Sequence, residues 1–159
     1  MTGITTCLCF QNSAEEAAEY YCSIFPDSSV NAVTYYTEGG MGNPGDVLTV
    51  SFTLKTGRFM AFNGPAQFQL TPAISLMVEC ENQDEIDYYW EKLSEGGLKE
   101  RCGWVKDKFG VSWQIVPVRL LNMLNSGVKE KTAAVTLALL RMYKLIITEL
   151  EEAFNSSQQ

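Results

Sequence analysis

The chain has 159 residues, 46% of them hydrophobic and 19% charged, a balance that excludes a disordered or fibrous segment and suits one domain with a sizeable core. Twelve Lys and Arg against nineteen Asp and Glu give a net charge of -7, which argues against nucleic acid or an anionic membrane as a partner. The sequence contains no His, so an imidazole base, a His-containing triad and a His-ligated metal are all excluded.

Residues 4–10 (ITTCLCF) are β-branched and apolar and predict a strand. Ser13-Ala-Glu-Glu16 follows as a capping-box pattern that opens an Ala-rich helix, closed by Pro26-Asp27. Three strands are then expected, VNAVTYY (30–36), DVLTVSFTL (46–54) and RFMAFNG (58–64), with a Gly-rich loop at 38–46 and a tight turn at Thr56-Gly57. The order β-α-β-β-β restarts with AISLMVEC at 73–80, a second helix capped by Asn82 with Glu85 and running to about Leu93, a short strand near CGWV, and SWQIV at 112–116. Glu16-Ala-Ala-Glu-Tyr20-Tyr21 parallels Glu85-Ile-Asp-Tyr-Tyr89-Trp90, which fits either an internal repeat or two ordinary amphipathic helices. From Val128 to Phe154, apolar residues at 135, 138, 139, 142, 146, 150 and 153 follow a helical period and predict one long amphipathic helix. Its broad apolar face could cover the domain or a partner subunit, while Glu149, Glu151 and Glu152 oppose a membrane-surface role.

The cysteines Cys7, Cys9, Cys22, Cys80 and Cys102 are odd in number and include no C-x-x-C pair, so free thiols are expected. No secretion signal or membrane span is read in the sequence, and with free thiols this points to the cytoplasm. Cys7 and Cys9 alternate along one strand and can face one cavity, although small buried hydrophobes are the commoner use of Cys.

Three segments could carry chemistry. Gly39 to Gly45 resembles a phosphate loop, but strands flank it on both sides, so a hairpin loop able to serve as a lid is the better fit. Asp107 and Gly110 make a turn, after which Ser112, Gln114 and Val116 face one way and Trp113 and Ile115 the other. Gln114 then points at whatever the sheet encloses, and a ligand, a weak metal contact or a structural hydrogen bond would each satisfy its amide. The acidic set Glu79, Glu81, Asp84, Glu85 and Asp87 is mostly explained by a helix start, leaving Glu79 as the carboxylate to retain.

The stretches Cys7 to Tyr21 with Ser23-Ile-Phe-Pro-Asp27, Gly57-Arg-Phe-Met-Ala-Phe-Asn-Gly64, and Cys102-Gly-Trp104 with Phe109 to Pro117 resemble the PhnB-like branch of the vicinal oxygen chelate superfamily. Members of that superfamily include glyoxalase I, fosfomycin and bleomycin resistance proteins and extradiol dioxygenases. Residues 131–154 also look like the branch's C-terminal helix. The resemblance implies an α+β fold of two βαβββ modules forming a curved incomplete barrel, with a long C-terminal helix. It makes residues 1–159 one domain, with module one at about 3–64, module two at about 71–118 and a helical tail at about 119–154.

Superfamily enzymes hold a divalent metal on the first and last strands of each module. By resemblance those positions fall near Cys7, Ala61 and Ser75 and on Gln114. One thiol, one hydroxyl and one amide form a poor cage for a hard ion, so no metal and no cofactor are expected. The expected function is a small-molecule-binding protein or a degenerate metal-free enzyme. Its cleft would be lined by Cys7, Cys9, Asn63, Ser75, Met77 and Gln114, with catalytic residues unassigned. The alternatives are a metal-dependent lyase, isomerase or dioxygenase that recruits its metal through Gln114 with carboxylates such as Glu79, or a 3-demethylubiquinone-9 3-methyltransferase, as members of the branch are often labelled. The methyltransferase reading has little support in the residues, which lack a Gly-rich strand-to-helix turn. A homodimer is expected, since barrel modules of this superfamily commonly pair across subunits.

Overall fold

The computed structural model describes residues 3–156. The chain forms two compact units, the first reaching to Leu70 and the second beginning at Thr71.

In the first unit, β1 (Thr6–Phe10) leads into α1 (Ala14–Ile24), followed by β2 (Ser29–Tyr35), β3 (Val47–Leu54) and β4 (Gly57–Asn63). The strands lie in the order β1-β4-β3-β2, with β1 parallel to β4 and β3 antiparallel to both its neighbours. Alternation along the strands separates two faces. Leu8 and Phe10 of β1, Val50, Phe52 and Leu54 of β3 and Ala61 of β4 are buried, as are Ala14, Ala17, Ala18, Tyr21 and Ile24 of α1. The alanines let the helix approach the sheet, and Tyr21 meets Phe52 with ring centroids 6.3 Å apart.

The start of α1 departs from the expected capping box. Ser13 makes no side-chain cap; Asn63 Oδ1, at the far end of β4, accepts instead from Ala14 N at 3.0 Å. At the second helix the expected cap is present, Asn82 Oδ1 accepting from Glu85 N at 2.9 Å and Glu85 Oε2 accepting from Glu81 N at 2.8 Å.

The second unit repeats the arrangement. It comprises β5 (Leu76–Cys80), α2 (Gln83–Ser94), β6 (Leu98–Lys99), β7 (Trp104–Lys106) and β8 (Ser112–Pro117), ordered β5-β8-β7-β6 with β5 parallel to β8. Identical strand orders decide the repeat in favour of two βαβββ modules. The two-residue β6 was not anticipated, because Leu98-Lys99 is too short to show alternation.

The tail differs from the expected single helix. It forms α3 (Val118–Leu124), α4 (Lys129–Leu139) and α5 (Ile147–Ser156), the last only ten residues long, with a non-helical stretch over residues 140–146. That stretch exchanges intrahelical hydrogen bonds for bonds to the module. Met142 O accepts from Cys102 N at 2.8 Å, Tyr143 O from Gly103 N at 2.7 Å, and Leu145 O from Gln83 Nε2 at 3.1 Å. Gln83 Oε1 in turn accepts from Ile147 N at 3.0 Å and starts α5. Gly103, at φ +78°, is required here, because a Cβ would lie 2.7 Å from Ile115 O and 3.0 Å from Leu145 Cγ. Val116, Leu120, Met123, Val135, Met142, Leu145 and Leu150 form one buried cluster that fastens the tail to the end of β8.

Candidate functional site

Each sheet has one face packed with its own helix, and the sequence-predicted site residues are sorted by which face they occupy. In the first module, Cys7 and Cys9 alternate with buried Leu8 and Phe10 and therefore lie on the helix-free side. The register sets Met60 opposite Cys7 and Phe62 opposite Cys9. Ser51 and Thr49 of β3 continue those two rows. Cys7 is exposed and Cys9 half-buried, and burial pushes the Cys9 thiol above its ordinary pKa. Among the described residues both thiols make only long contacts: Cys7 Sγ approaches Thr5 O and Cys9 Sγ approaches Phe10 O, each at 3.9 Å.

Asn63 does not join them. It pairs with Phe10 and so has the opposite parity from Cys9 and Phe62. Its amide is used on the helix side, accepting from Ala14 N and donating through Nδ2 to Val47 O at 3.1 Å. Beside it lies a polar recess of about 790 Å³, bordered by Gln11, Asn12, Glu15, Tyr36 and Asp46. The Gly-rich segment contributes to that recess. It is a hairpin loop between β2 and β3, closed by Tyr36 N donating to Asp46 O at 2.8 Å and Gly45 N to Tyr36 O at 2.9 Å. With strands on both sides it lacks the helix start of a phosphate loop. Gly42 packs on the Tyr36 ring, where a Cβ would come within 2.6 Å. Ala61, the expected fourth-strand metal position, is fully buried on the helix side, and the residue across from Cys7 is Met60. A one-residue offset in a strand reverses the face, which accounts for the misplacement.

In the second module, Gln114 pairs with Met77 on β5 and with Trp104 on β7. Gln114 Nε2 donates to Ser75 Oγ at 2.8 Å. Met77 is 47% exposed beside them, so the structure brings Ser75, Met77 and Gln114 together. Ser112 shares the face of Gln114, is buried, and its Oγ finds no hydrogen-bond partner among the described residues. On the opposite face Trp113 and Ile115 belong to the core with α2. Asp107, read in the sequence as a turn residue, does more. Its Oδ1 accepts from Phe109 N and Val111 N at 2.9 and 3.0 Å, and its Oδ2 accepts from Trp113 Nε1 at 2.8 Å, which fixes the β7–β8 turn and the strand that carries Gln114.

Carboxylates do not gather at these residues. Glu79 is exposed on the same side of β5 as Met77, opposite Val116. Among the described residues no group of three or more His, Cys, Asp or Glu is placed to hold a metal ion. Gln114 and Ser75 are neutral oxygen and nitrogen groups already bonded to each other, and the thiols of the first module are soft. This donor set does not fit the hard divalent ion that the fold implies.

The family model described as 3-demethylubiquinone-9 3-methyltransferase matches residues 2–116. The chain belongs to this family. A PhnB protein from Bacillus cereus, described under the same methyltransferase name, is 37% identical, with a TM-score of 0.68 over 74% of this chain and 100% of its own. Protein PA1353 from Pseudomonas aeruginosa is 16% identical, with a TM-score of 0.63 over 74% of this chain and 98% of its own. The fosfomycin resistance protein FosX from Listeria monocytogenes, solved with Mn(II) and sulfate, is 11% identical, with a TM-score of 0.53 over 79% of this chain and 98% of its own. These place the fold in the vicinal oxygen chelate superfamily. No curated protein matches the chain. The family model ends at Val116, so the tail that resembled the branch's C-terminal helix lies beyond it. No helix among the described residues is long and apolar enough to cross a membrane.

Proposed function

We propose that the protein binds a small, largely apolar or aromatic molecule on the helix-free face of its second sheet without a divalent metal, as a binding protein or an enzyme that has lost the superfamily's metal chemistry. The observation that carries this reading is the 2.8 Å hydrogen bond between Gln114 and Ser75. Two positions at which the superfamily resemblance places metal ligands are hydrogen-bonded to each other. Met77 and Trp104 flank the pair and supply apolar and aromatic surface around a few polar groups, the usual composition of a small-molecule site.

The test is elemental analysis of untagged protein after incubation with nickel, zinc, manganese or iron and dialysis. The expected result is less than stoichiometric retention of each ion. One retained equivalent that Gln114→Ala or Glu79→Gln removes would overturn the reading in favour of a metal-dependent lyase, isomerase or dioxygenase. The family name supplies the other rival, a methyltransferase. The β1–α1 connection Gln11-Asn-Ser13 holds none of the glycines that a strand-to-helix nucleotide turn uses. Calorimetry with S-adenosylmethionine is therefore expected to give no binding heat.

A further inference from the structure

We infer that the polar recess beside Asn63 in the first module is a second binding site, for a hydrophilic cation of the amino-sugar class that carries an ammonium group and several hydroxyls. The recess lies where the β1–α1 connection, the β2–β3 hairpin loop and the end of β4 meet, and Asn63 turns its amide toward α1 there. Its volume of about 790 Å³ falls within the range of sites that take small organic molecules. Its walls are mostly polar, so a ligand has to return the hydrogen bonds that water makes with them.

The charge at the recess has one sign. Glu15, Glu16 and Asp46 border it, and no Lys or Arg does. Glu15 is half-buried, and its carboxylate makes no hydrogen bond or ion pair among the described residues. The helix dipole accounts for carboxylates in the first turn of α1. It does not account for Asp46, which comes from the hairpin loop and accepts from Asn43 Nδ2 at 3.0 Å, a neutral partner that leaves its charge uncancelled. A cleft lined by charges of one sign concentrates ions of the other, so an ammonium group is drawn in and a phosphate is turned away. The neutral groups suit hydroxyls. The side chains of Gln11 and Asn12 have no partner among the described residues, and each offers a donor and an acceptor. The Tyr36 hydroxyl donates to Asn63 O at 3.2 Å and keeps its own oxygen as an acceptor. The frame is built before a ligand arrives: Asn63 ties the start of α1 to Val47 O, and Tyr36 N and O close the loop on Asp46 O and Gly45 N. Such preorganisation lowers the ordering cost of binding.

The inference belongs to the first module and does not rest on the Gln114–Ser75 pair. Its test is titration of the isotope-labelled full chain, followed by amide NMR, with the disaccharide of glucosamine and separately with its N-acetylated form, which keeps the ring hydroxyls and loses the positive charge. Saturable shifts are expected at residues 11–16 and 36–47, and the N-acetylated sugar should bind at least about 10-fold more weakly. Glu15→Gln should weaken binding of the charged sugar by about 10-fold, because a charge-assisted hydrogen bond becomes a neutral one. Glu19→Gln, one turn further along α1 and outside the recess, should leave it unchanged. Circular dichroism melts of both variants exclude loss of fold as the cause. Absence of saturable shifts, equal affinity for the two sugars, or equal effects of the two substitutions would each overturn the site. Inorganic phosphate is expected to move none of these amides; phosphate that displaced the sugar would make the loop an anion cradle and sink the inference. Gln114→Ala should leave the titration unchanged, so failure here and failure of the second-module reading are told apart.

Discussion

Asn63 shows how one side chain can do work that its sequence context does not announce. The sequence assigns it to the ligand cleft with Cys9, but parity along β4 turns it to the helix side. There one amide accepts from the first N–H of α1 and donates to Val47 O. Replacing it with Ala leaves a helix start uncapped and a strand carbonyl unpaired, at an expected cost of about 1–3 kcal/mol in denaturant unfolding. Asn63→Asp keeps the acceptor and loses the donor, so its loss should be smaller. If Asn63→Ala were as stable as the parent and instead abolished ligand binding, the cleft assignment would be restored. Cys7, Cys9 and Gln114 were legible because alternation alone fixes their side once the strand is recognised. Ser75 entered the same cleft only through the family resemblance, and its bond to Gln114 was not legible, since no spacing rule connects residues 39 positions apart. The same holds for Asp107, whose turn was visible but whose bond to Trp113 depends on the hairpin being folded.

The failure at the scale of elements is the tail, and it has a physical cause. Apolar residues continue at helical spacing through 139, 142 and 146, yet the backbone leaves the helix because the second module offers it better partners. The main determinant is Gln83, which bonds Leu145 O and Ile147 N on either side of the break. Lys144 adds an ion pair to Asp87 at 2.7 Å. Gln83→Ala leaves both backbone groups unmet, and a loss of about 1–3 kcal/mol is expected, with earlier hydrogen exchange in α5 than in α2. The Lys144 hydrogen bond, helped by Gln83, holds the Asp87 carboxyl below its ordinary value. A lowered folded-state pKa contributes stability above the unfolded-state value and loses it as pH falls through the folded-state value. Asp87→Asn should therefore flatten the acid side of the stability profile and leave neutral pH changed by less than about 1 kcal/mol, since the pair is partly exposed. An unchanged acid limb would mean that the ion pair contributes nothing in solution. By contrast the strands other than β6 and the first two helices were readable, because periods of 2 and 3.6 residues mark the faces they bury.

For the whole molecule, the repeated strand order places the protein among the vicinal oxygen chelate folds, while the tail beyond Val116 lies outside the family model. The repeat was half visible as paired helix signatures and became certain only when both sheets showed the same crossover. The tail has a buried side, through Val135, Leu145 and Leu150, and an unburied one: Leu137 and Leu140 are 58% and 55% exposed on neighbouring turns at the end of α4. Leu124, Ala133, Thr136 and Leu137 border a shallow, mostly apolar groove next to them. Contiguous apolar surface of this kind is commonly covered, and a two-fold contact covers it with the same surface of a second copy. We propose that α4 pairs with its counterpart in a homodimer. Light scattering should then give twice the 17.7 kDa chain mass. The double substitution Leu137→Glu and Leu140→Glu should halve that mass and leave the melting of each module unchanged, because neither side chain belongs to the buried cluster. A monomeric parent chain would remove the dimer. A dimer that survives both substitutions would move the contact elsewhere, with the exposed edge strand β2 as the next surface to alter.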